Sequence, residues 1–127
     1  MNLNQPNGAN MVIVSRVLGA LDVSQAIFCA DAAYQIVAAK AVWGVAGGAA
    51  ATLNIEKLSS TTAPGSGTAI LTGAMDLTST ANTVTTGTLT ATAADLLLAS
   101  GDRLGCKLAG VLTGLVGCSV TLILKRL

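Results

Sequence analysis

The sequence contains no histidine and very few aromatic or charged residues. Among 127 residues, 10% are charged and 2% are aromatic. The absence of His removes the commonest general base, the Ser-His and Cys-His nucleophile pairs, and His-ligated zinc. A formal net charge of +1 provides no basic footprint for nucleic acid, and so few aromatics cannot form a base-stacking surface. The composition therefore argues against nucleic acid as a partner.

The scarcity of charge also constrains the surface of the molecule. A soluble domain usually carries about 25% charged residues, and a chain of this length exposes on the order of 6,000 Å². The seven basic and six acidic side chains leave roughly one charge per 450–500 Å², which is sparse for a dispersed small domain. Much of the surface is therefore expected to be covered by another molecule or to lie in lipid.

Small residues make up most of the remaining composition. Ala occurs 22 times and Ser plus Thr occur 23 times. Small and β-branched side chains suit close strand packing and closely fitted subunit contacts. We therefore expect the covered surface to be a contact with other protein subunits, either copies of this chain or another protein.

The cysteines are three in number and follow no metal-binding spacing. An odd count argues against a secreted disulfide framework, and no CxxC pair is present for a structural zinc site. Cys106 and Cys118 are predicted to be packed free thiols, with a disulfide between them as the alternative.

The first ten residues lack a basic region and an apolar region, so they do not predict a signal peptide. Synthesis at a reducing, intracellular site is the expectation.

Neither the glycine clusters nor the acidic residues form a catalytic motif. Gly44-x-x-Gly47-Gly48 lacks the GxGxxG spacing, and no GK[ST] follows any glycine. No pair of carboxylates is singled out for glycosidic chemistry. Asp102, beside Arg103, is predicted to be a turn residue at the start of a strand. We expect a protein that is not an enzyme, with no cofactor, no metal and no small-molecule substrate.

Short β-branched segments bounded by turns predict an all-β fold. MVIVSRVL and QAIFCA are strand candidates, and YQIVAAKAVWGVA is a longer one with a bend or bulge near residues 38–40. In ATLNIEKLS, Leu53, Ile55 and Lys57 alternate with Thr52, Asn54 and Glu56. AADLLLAS is ambiguous between a helical turn and a strand. Seven to eight strands at this spacing predict an antiparallel β-sandwich or jelly-roll over residues 11–127.

The C-terminal segment ASGDRLGCKLAGVLTGLVGCSVTLILKRL allows two interpretations. Alternation within residues 103–110 and 115–125 predicts a hairpin closed by Gly110 and Gly114, which would place Cys106 opposite Cys118. The rival is a membrane span over the 17 uncharged residues 108–124. A 17-residue helix is only about 26 Å long, short of a ~30 Å hydrocarbon core. The hairpin is favoured, and no membrane partner is expected.

Two polar segments are the candidate contact regions. Residues 1–10 are predicted to form a flexible arm, and the loop over residues 59–67 is punctuated by proline and glycine, so both should protrude. The candidate interface residues are Asn2, Asn4, Gln5, Asn7, Asn10, Thr61, Thr62, Pro64 and Ser66.

The order of segments resembles a known family. The elements are a long strand ending in glycine-rich small residues, an xGSGT loop, the segment DLTSTANTV, and the final A-x-GDRL…GL-x-G-x-x-VTLxLKR stretch. Over about Ala26 to Arg126 the chain resembles small virion proteins of tailed bacteriophages, most closely the capsid decoration (cement) proteins. The resemblance implies a β-sandwich or jelly-roll that binds the capsid exterior as a homodimer or homotrimer. Its partner would be the major capsid protein.

Three hypotheses of function follow. The leading one is a structural virion protein that binds the outside of a phage capsid and stabilises the shell. The first alternative is a head-fibre or spike module that binds a host receptor or glycan, with Trp43 or Tyr34 in the binding groove. The further alternative is a small membrane protein with its span at residues 108–124.

Overall fold

The computed structural model describes residues 11–127 as an all-β fold with antiparallel sheets. Within these residues the regular elements are ten strands and one short 3₁₀ helix, Ala93–Leu96. The strands are β1 (Met11–Leu18), β2 (Gln25–Cys29), β3 (Tyr34–Val42), β4 (Thr52–Leu58), β5 (Thr68–Ala69), β6 (Met75–Asp76), β7 (Thr85–Thr86), β8 (Leu97–Leu98), β9 (Arg103–Ala109) and β10 (Cys118–Arg126). The expected arm over residues 1–10 lies outside the described residues.

The strands divide into two five-stranded sheets. Sheet A has the order β1-β10-β3-β7, with β8 also pairing with β3. Sheet B has the order β2-β9-β4-β5, with β6 also pairing with β4. Every pairing is antiparallel. The chain changes sheet after β1, β2, β3, β6, β8 and β9. Neither sheet therefore forms from one continuous stretch of chain.

The strand count is ten rather than the expected seven to eight because two edge positions are broken. In sheet A, β7 pairs with one end of β3 and β8 with the other end. In sheet B, β5 and β6 pair with the two ends of β4 in the same way. The threonine- and glycine-rich segments between them leave the ladder after two residues. Each broken edge therefore occupies one strand position, and each sheet has four positions.

Alternating apolar residues from the long strands form one core between the sheets. Leu53 and Ile55 of β4 and Leu122 and Leu124 of β10 are fully buried, as the alternation predicts. Trp43, at the end of β3, is also fully buried. Its indole Nε1 donates a hydrogen bond to the carbonyl oxygen of Ser79 at 3.2 Å. The only tryptophan of the sequence therefore holds the 76–83 turn against the core.

Most individual strand predictions are confirmed. The segment Met11–Leu18 is a strand over its full predicted length. The bulge in β3 falls at Val37, one residue before the predicted range, because Ala38 pairs with Ile123 and Ile36 with Leu124. The segment 93–100, for which the sequence allowed a helical turn or a strand, contains both: a 3₁₀ helix followed by the short strand β8.

The predicted C-terminal hairpin is wrong. β9 pairs with β2 and β4 in sheet B, whereas β10 pairs with β1 and β3 in sheet A. The alternation is nevertheless correct, because Cys106 and Cys118 both point into the core. Alternation reports which face of a strand is buried, and two strands that face each other across a core carry the same pattern as two strands that pair.

Gly110 makes the crossing between the sheets possible. Its φ is +77°, and a Cβ at this position would lie 2.0 Å from the carbonyl oxygen of Ala50. Only glycine permits so close an approach of two backbones. Val111 then donates a backbone hydrogen bond to Ala49 at 3.0 Å. The segment after β9 is thereby held against the 47–51 turn instead of folding back along β9.

Residues 108–124, the proposed membrane span, are not helical. They comprise the end of β9, a turn and most of β10. Within residues 11–127, no helix has the length and apolar character that a membrane crossing requires.

Truncation of a core residue in the central strand β10 tests this arrangement. We expect Leu122→Ala to lower the free energy of unfolding by about 2–5 kcal/mol, because a fully buried leucine leaves a cavity. Ile123→Ala is the matched control, since Ile123 lies on the outer face of the same strand and should cost roughly 1 kcal/mol or less. Equal losses for both variants in urea unfolding would contradict the assigned faces.

Candidate functional site

The loop over residues 59–67 folds back onto the outer face of sheet B. Its anchor is Glu56 of β4, whose side chain is only 1% exposed. One carboxylate oxygen accepts a hydrogen bond from the backbone N–H of Gly65 at 2.5 Å, and the other accepts from Gly67 at 2.8 Å. Hydrogen bonds from two backbone donors satisfy a buried carboxylate without a cationic partner. We call Glu56, Arg103 and residues 59–67 the loop latch.

Arg103 holds the other half of the loop. This residue begins β9, directly opposite Leu58, the last residue of β4. Its guanidinium Nη2 donates to the carbonyl oxygens of Ser60 at 2.9 Å and Thr62 at 2.8 Å. The loop latch therefore uses a carboxylate for backbone N–H groups and a guanidinium for backbone carbonyls, so that both kinds of main-chain polar group are satisfied.

Glycine at position 105 makes room for the buried carboxylate. Gly105 lies opposite Glu56 in the ladder between β4 and β9. A Cβ there would approach the Leu58 side chain at 2.9 Å and a Glu56 carboxylate oxygen at 3.5 Å. The missing side chain leaves the space in which Leu58 and Glu56 pack beneath the loop. Leu58 is fully buried on this outer face as a result.

The predicted loop residues are brought together by the latch. Thr61, Pro64 and Ser66 are exposed, and Thr62 is half-buried. The loop lies on the sheet rather than projecting freely, so these side chains are presented from an anchored backbone. The predicted arm residues Asn2, Asn4, Gln5, Asn7 and Asn10 lie outside the described residues.

The role of Glu56 was missed by the sequence prediction. Alternation correctly places Glu56 on the face opposite Leu53 and Ile55, but a strand pattern alone treats that face as solvent-exposed. Glu56 is the only glutamate of the chain, and it precedes Gly65-x-Gly67 by nine residues. Whether a loop folds over its own strand depends on tertiary packing, which period-two alternation does not report.

Lys57 connects the two sheets at the edge of the core. It lies on the inner face of β4, as the alternation predicts, and its Nζ reaches the carbonyl oxygens of Ala94 at 3.1 Å and Leu97 at 3.2 Å. These carbonyls belong to the 3₁₀ helix and to β8 of sheet A. An ammonium on a long apolar stem suits this place, because the stem can be buried while the charge reaches polar groups.

The outer face of sheet A carries a second candidate surface. An open depression of about 190 Å³ is lined by Lys40, Ala41, Val42, Val84, Ser119 and Thr121. Val84 is 62% exposed at its rim. One ammonium, two hydroxyls and an apolar floor can hold a side chain of a neighbouring protein, but the volume is below the roughly 300–1,000 Å³ of small-molecule pockets.

The carboxylates other than Glu56 mostly close local turns. Asp102 accepts a hydrogen bond from the N–H of Ala99 at 2.9 Å, as expected of a turn residue. Asp22 accepts from Gly19 at 2.7 Å. The Tyr34 hydroxyl donates to Asp31 and lowers the pKa of that carboxyl, and hydrogen bonds from Thr78 lower the pKa of Asp76. Each of these carboxylates accepts hydrogen bonds from residues two or three positions away in the sequence.

The cysteines are three free thiols of two kinds. Cys29 is exposed, whereas Cys106 and Cys118 are buried and unbonded. Burial raises the pKa of Cys106 to about 12, with a further contribution from the neighbouring Cys118. Burial also raises the pKa of Cys118 to about 11. The two buried thiols therefore act as small core residues from opposite sheets, in agreement with the packed-thiol prediction.

Within residues 11–127, no three metal-ligating side chains lie close enough together to hold an ion. Comparison with protein-family models, with curated proteins and with solved structures finds no match to this chain.

Removal of the buried carboxylate tests the loop latch. We expect Glu56→Gln to lower the free energy of unfolding by about 1–3 kcal/mol, because one of the two glycine N–H groups loses its acceptor. Limited proteolysis should also cleave within residues 59–67. Asp95→Asn, in the 3₁₀ helix, is the control. Among residues 11–127, Asp95 forms a hydrogen bond through its backbone N–H, to Thr92, and its carboxylate holds no loop. Wild-type stability and proteolysis for Glu56→Gln would contradict the latch.

Thiol labelling tests the placement of the cysteines. At pH 8 the native protein should react at Cys29 alone, since only on the order of 10⁻³ or less of the buried thiols is ionised. All three should react after unfolding in urea. From pH 9 upward the unfolded thiols ionise before the folded ones, so the free energy of unfolding should fall between pH 9 and about 12. Rapid labelling of three thiols in the native state would contradict the core assignment.

Proposed function

We propose that this chain is a structural virion protein of a tailed bacteriophage that binds the outside of the capsid as a homo-oligomer and stabilises the shell. Its partners would be the major capsid protein and further copies of itself. It would be made in the host cytoplasm and would reside on the capsid exterior.

The strand order is the observation that carries the proposal. If β5 and β6 count as one broken strand position, and β7 and β8 as another, the chain has eight positions. Sheet A then contains the first, eighth, third and sixth positions, and sheet B the second, seventh, fourth and fifth. This order supports a jelly-roll assignment, an architecture used by viral capsid domains, lectins and cupins.

Of capsid domains, lectins and cupins, the side chains of this protein favour a capsid protein. Cupin chemistry relies on a cluster of metal-ligating side chains, and this chain has no His. Trp43 and Tyr34, the residues expected to serve a glycan-binding module, are buried to 0% and 4% exposure. Their rings pack in the core and present no face to a sugar. The glycan-binding alternative therefore loses the residues on which it relied.

The surface supports attachment through many small contacts. Among the exposed apolar side chains are Ile13, Val17, Val84 and Val116, each more than half exposed. The anchored loop 59–67 adds threonine, serine and proline side chains whose backbone needs no ordering on binding, which lowers the entropic cost of a contact. Across an icosahedral array, modest contacts of this kind combine because each bound copy raises the effective concentration of the others.

Binding to preformed shells tests the proposal. The probe is empty shells assembled from the major capsid protein encoded in the same genome, and the measurement is co-sedimentation of the purified chain. We expect saturable binding with a fixed ratio of chain to shell subunit and a higher melting temperature of the shell. No binding and no change in melting temperature would reject the proposal.

A loop variant tests the contact residues. Thr61→Glu with Ser66→Glu should weaken shell binding by about tenfold or more, because two charges enter the contact without partners. Thr92→Glu with Ser100→Glu adds the same charge at two exposed positions outside both candidate surfaces and should bind as the wild type does. Equal binding by both double variants would show that the loop is not part of the contact.

A further inference from the structure

The edges of the two sheets differ in how they are protected. On the side of β5–β8 the sheets are joined by main-chain hydrogen bonds. Thr72 N–H donates to Thr88 at 2.9 Å, and Thr90 N–H donates to Ile70 at 2.8 Å, around a bridge between Leu71 and Leu89. The edge strands on this side are only two residues long. Short, interrupted and mutually bonded edges are poor templates for another chain.

The edge strands on the opposite side are β1 of sheet A and β2 of sheet B. Only β1 is long and regular enough to pair with a strand of another chain. β2 has five residues and a bulge at Ile27, since Ala26 pairs with Gly105 and Phe28 with Leu104. A bulge twists an edge away from further pairing. β1 has eight residues in unbroken register with β10, which makes it about 27 Å long. Within residues 11–127 no strand pairs with its outer edge.

We propose that β1 pairs antiparallel with β1 of a second copy of this chain, about a two-fold axis at Ser15. The pairing joins sheet A of one copy to sheet A of the other across the axis. It gives the homo-oligomer of the proposed function its self-contact and rests on that part of the proposal. The occupant is a strand, because only a strand presents donors and acceptors that match the exposed main-chain groups of β1 along its whole length.

The side chains of β1 favour a second copy as that strand. In an antiparallel pair, directly opposite residues lie on the same face of the sheet. An axis at Ser15 therefore places Ile13 opposite Val17 of the second copy, and Val17 opposite Ile13. These are among the most exposed apolar side chains of the structure, at 70% and 60%. The two serines meet at the axis, where their hydroxyls can hydrogen bond to each other.

Neighbouring registers are less favourable. An axis at Val14 would place Ile13 opposite Ser15, so that the aliphatic pairs are lost. An axis at Arg16 would place two guanidinium groups directly opposite each other, which destabilises a cross-strand pair. With the axis at Ser15, each Arg16 lies opposite Val14 and keeps its own carboxylate partner, Asp22, at 3.8 Å. Of these three registers, only the axis at Ser15 keeps the aliphatic pairs and separates the two Arg16 side chains.

Light scattering behind size exclusion, together with a matched pair of variants, provides the first test. The wild-type chain should be a dimer or an even-numbered oligomer built from dimers. Ile13→Lys should raise the dimer dissociation constant by about tenfold or more, because the symmetric interface contains the altered position twice. Val84→Lys places the same charge on a similarly exposed valine, at 62%, directly before β7, and should leave the dimer intact. A wild-type monomer or trimer would overturn the proposal.

A charge-pair experiment tests the register. Val17→Glu alone should weaken the dimer as Ile13→Lys does. The chain carrying both substitutions should recover at least part of the lost affinity, because each new ammonium lies opposite a new carboxylate of the second copy. Recovery should diminish with added salt. A double variant weaker than both single variants would reject this register.

A cross-link locates the axis. In a Cys29→Ser background, which removes the exposed thiol, Ser15→Cys should form a disulfide-linked dimer on mild oxidation. Thr121→Cys lies on β10, directly beside Ser15. It should remain unlinked, because both β1 strands lie between Thr121 of one copy and Thr121 of the other. A dimer in which Ser15→Cys does not cross-link would overturn the proposal.

Shell binding separates this inference from the proposed function. A chain that dimerises through β1 but does not bind shells rejects the capsid role and leaves the β1 contact standing. A chain that binds shells and yet is monomeric in solution and on the shell rejects the β1 contact and the homo-oligomer, and leaves shell binding standing.

Discussion

The core shared by the two sheets is the constraint on which the rest of the structure depends. Because the chain changes sheet at most connections between long strands, neither sheet can be completed without the other. The central strands β10 and β3 of sheet A and β9 and β4 of sheet B supply half of the buried leucine, isoleucine and valine of the core. Most pairings therefore join residues distant in sequence, and their formation requires the closure of long loops. We therefore expect the two sheets to fold together, around their shared core.

The core also explains where the few charges lie. Lys57 extends from the inner face of sheet B to main-chain carbonyls of the sheet A side. Glu56, the residue before Lys57, points to the outer face and holds the loop against it. Adjacent residues on β4 point to opposite faces, and each binds main-chain groups instead of a side chain of opposite charge. In a chain with so little charge, these two residues serve to order segments that lack regular structure.

The contrast between the two outer faces bears on assembly. Part of the outer face of sheet B is covered by the chain itself, through the loop latch, and Leu58 and Glu56 are buried there. The outer face of sheet A has no such cover within residues 11–127, and it retains exposed valine and isoleucine and the uninterrupted edge strand β1. The sparse charge of the sequence, which predicts a surface covered by protein, is thus accounted for in part by the loop and in part by the proposed contacts of sheet A.

Period-two alternation was enough to locate the strands and their buried faces, because side chains of a strand point alternately to its two faces whatever lies beside it. For this reason Met11–Leu18, the inward positions of β4, and the burial of Cys106 and Cys118 followed from the sequence alone. The partner of each strand was decided only by the tertiary structure. β9 and β10 have the pattern of a hairpin, but the close approach of Gly110 to Ala50 sends the chain to the other sheet. The burial of Glu56 was equally beyond the pattern, since an outward-facing residue is buried only when a distant segment folds over it.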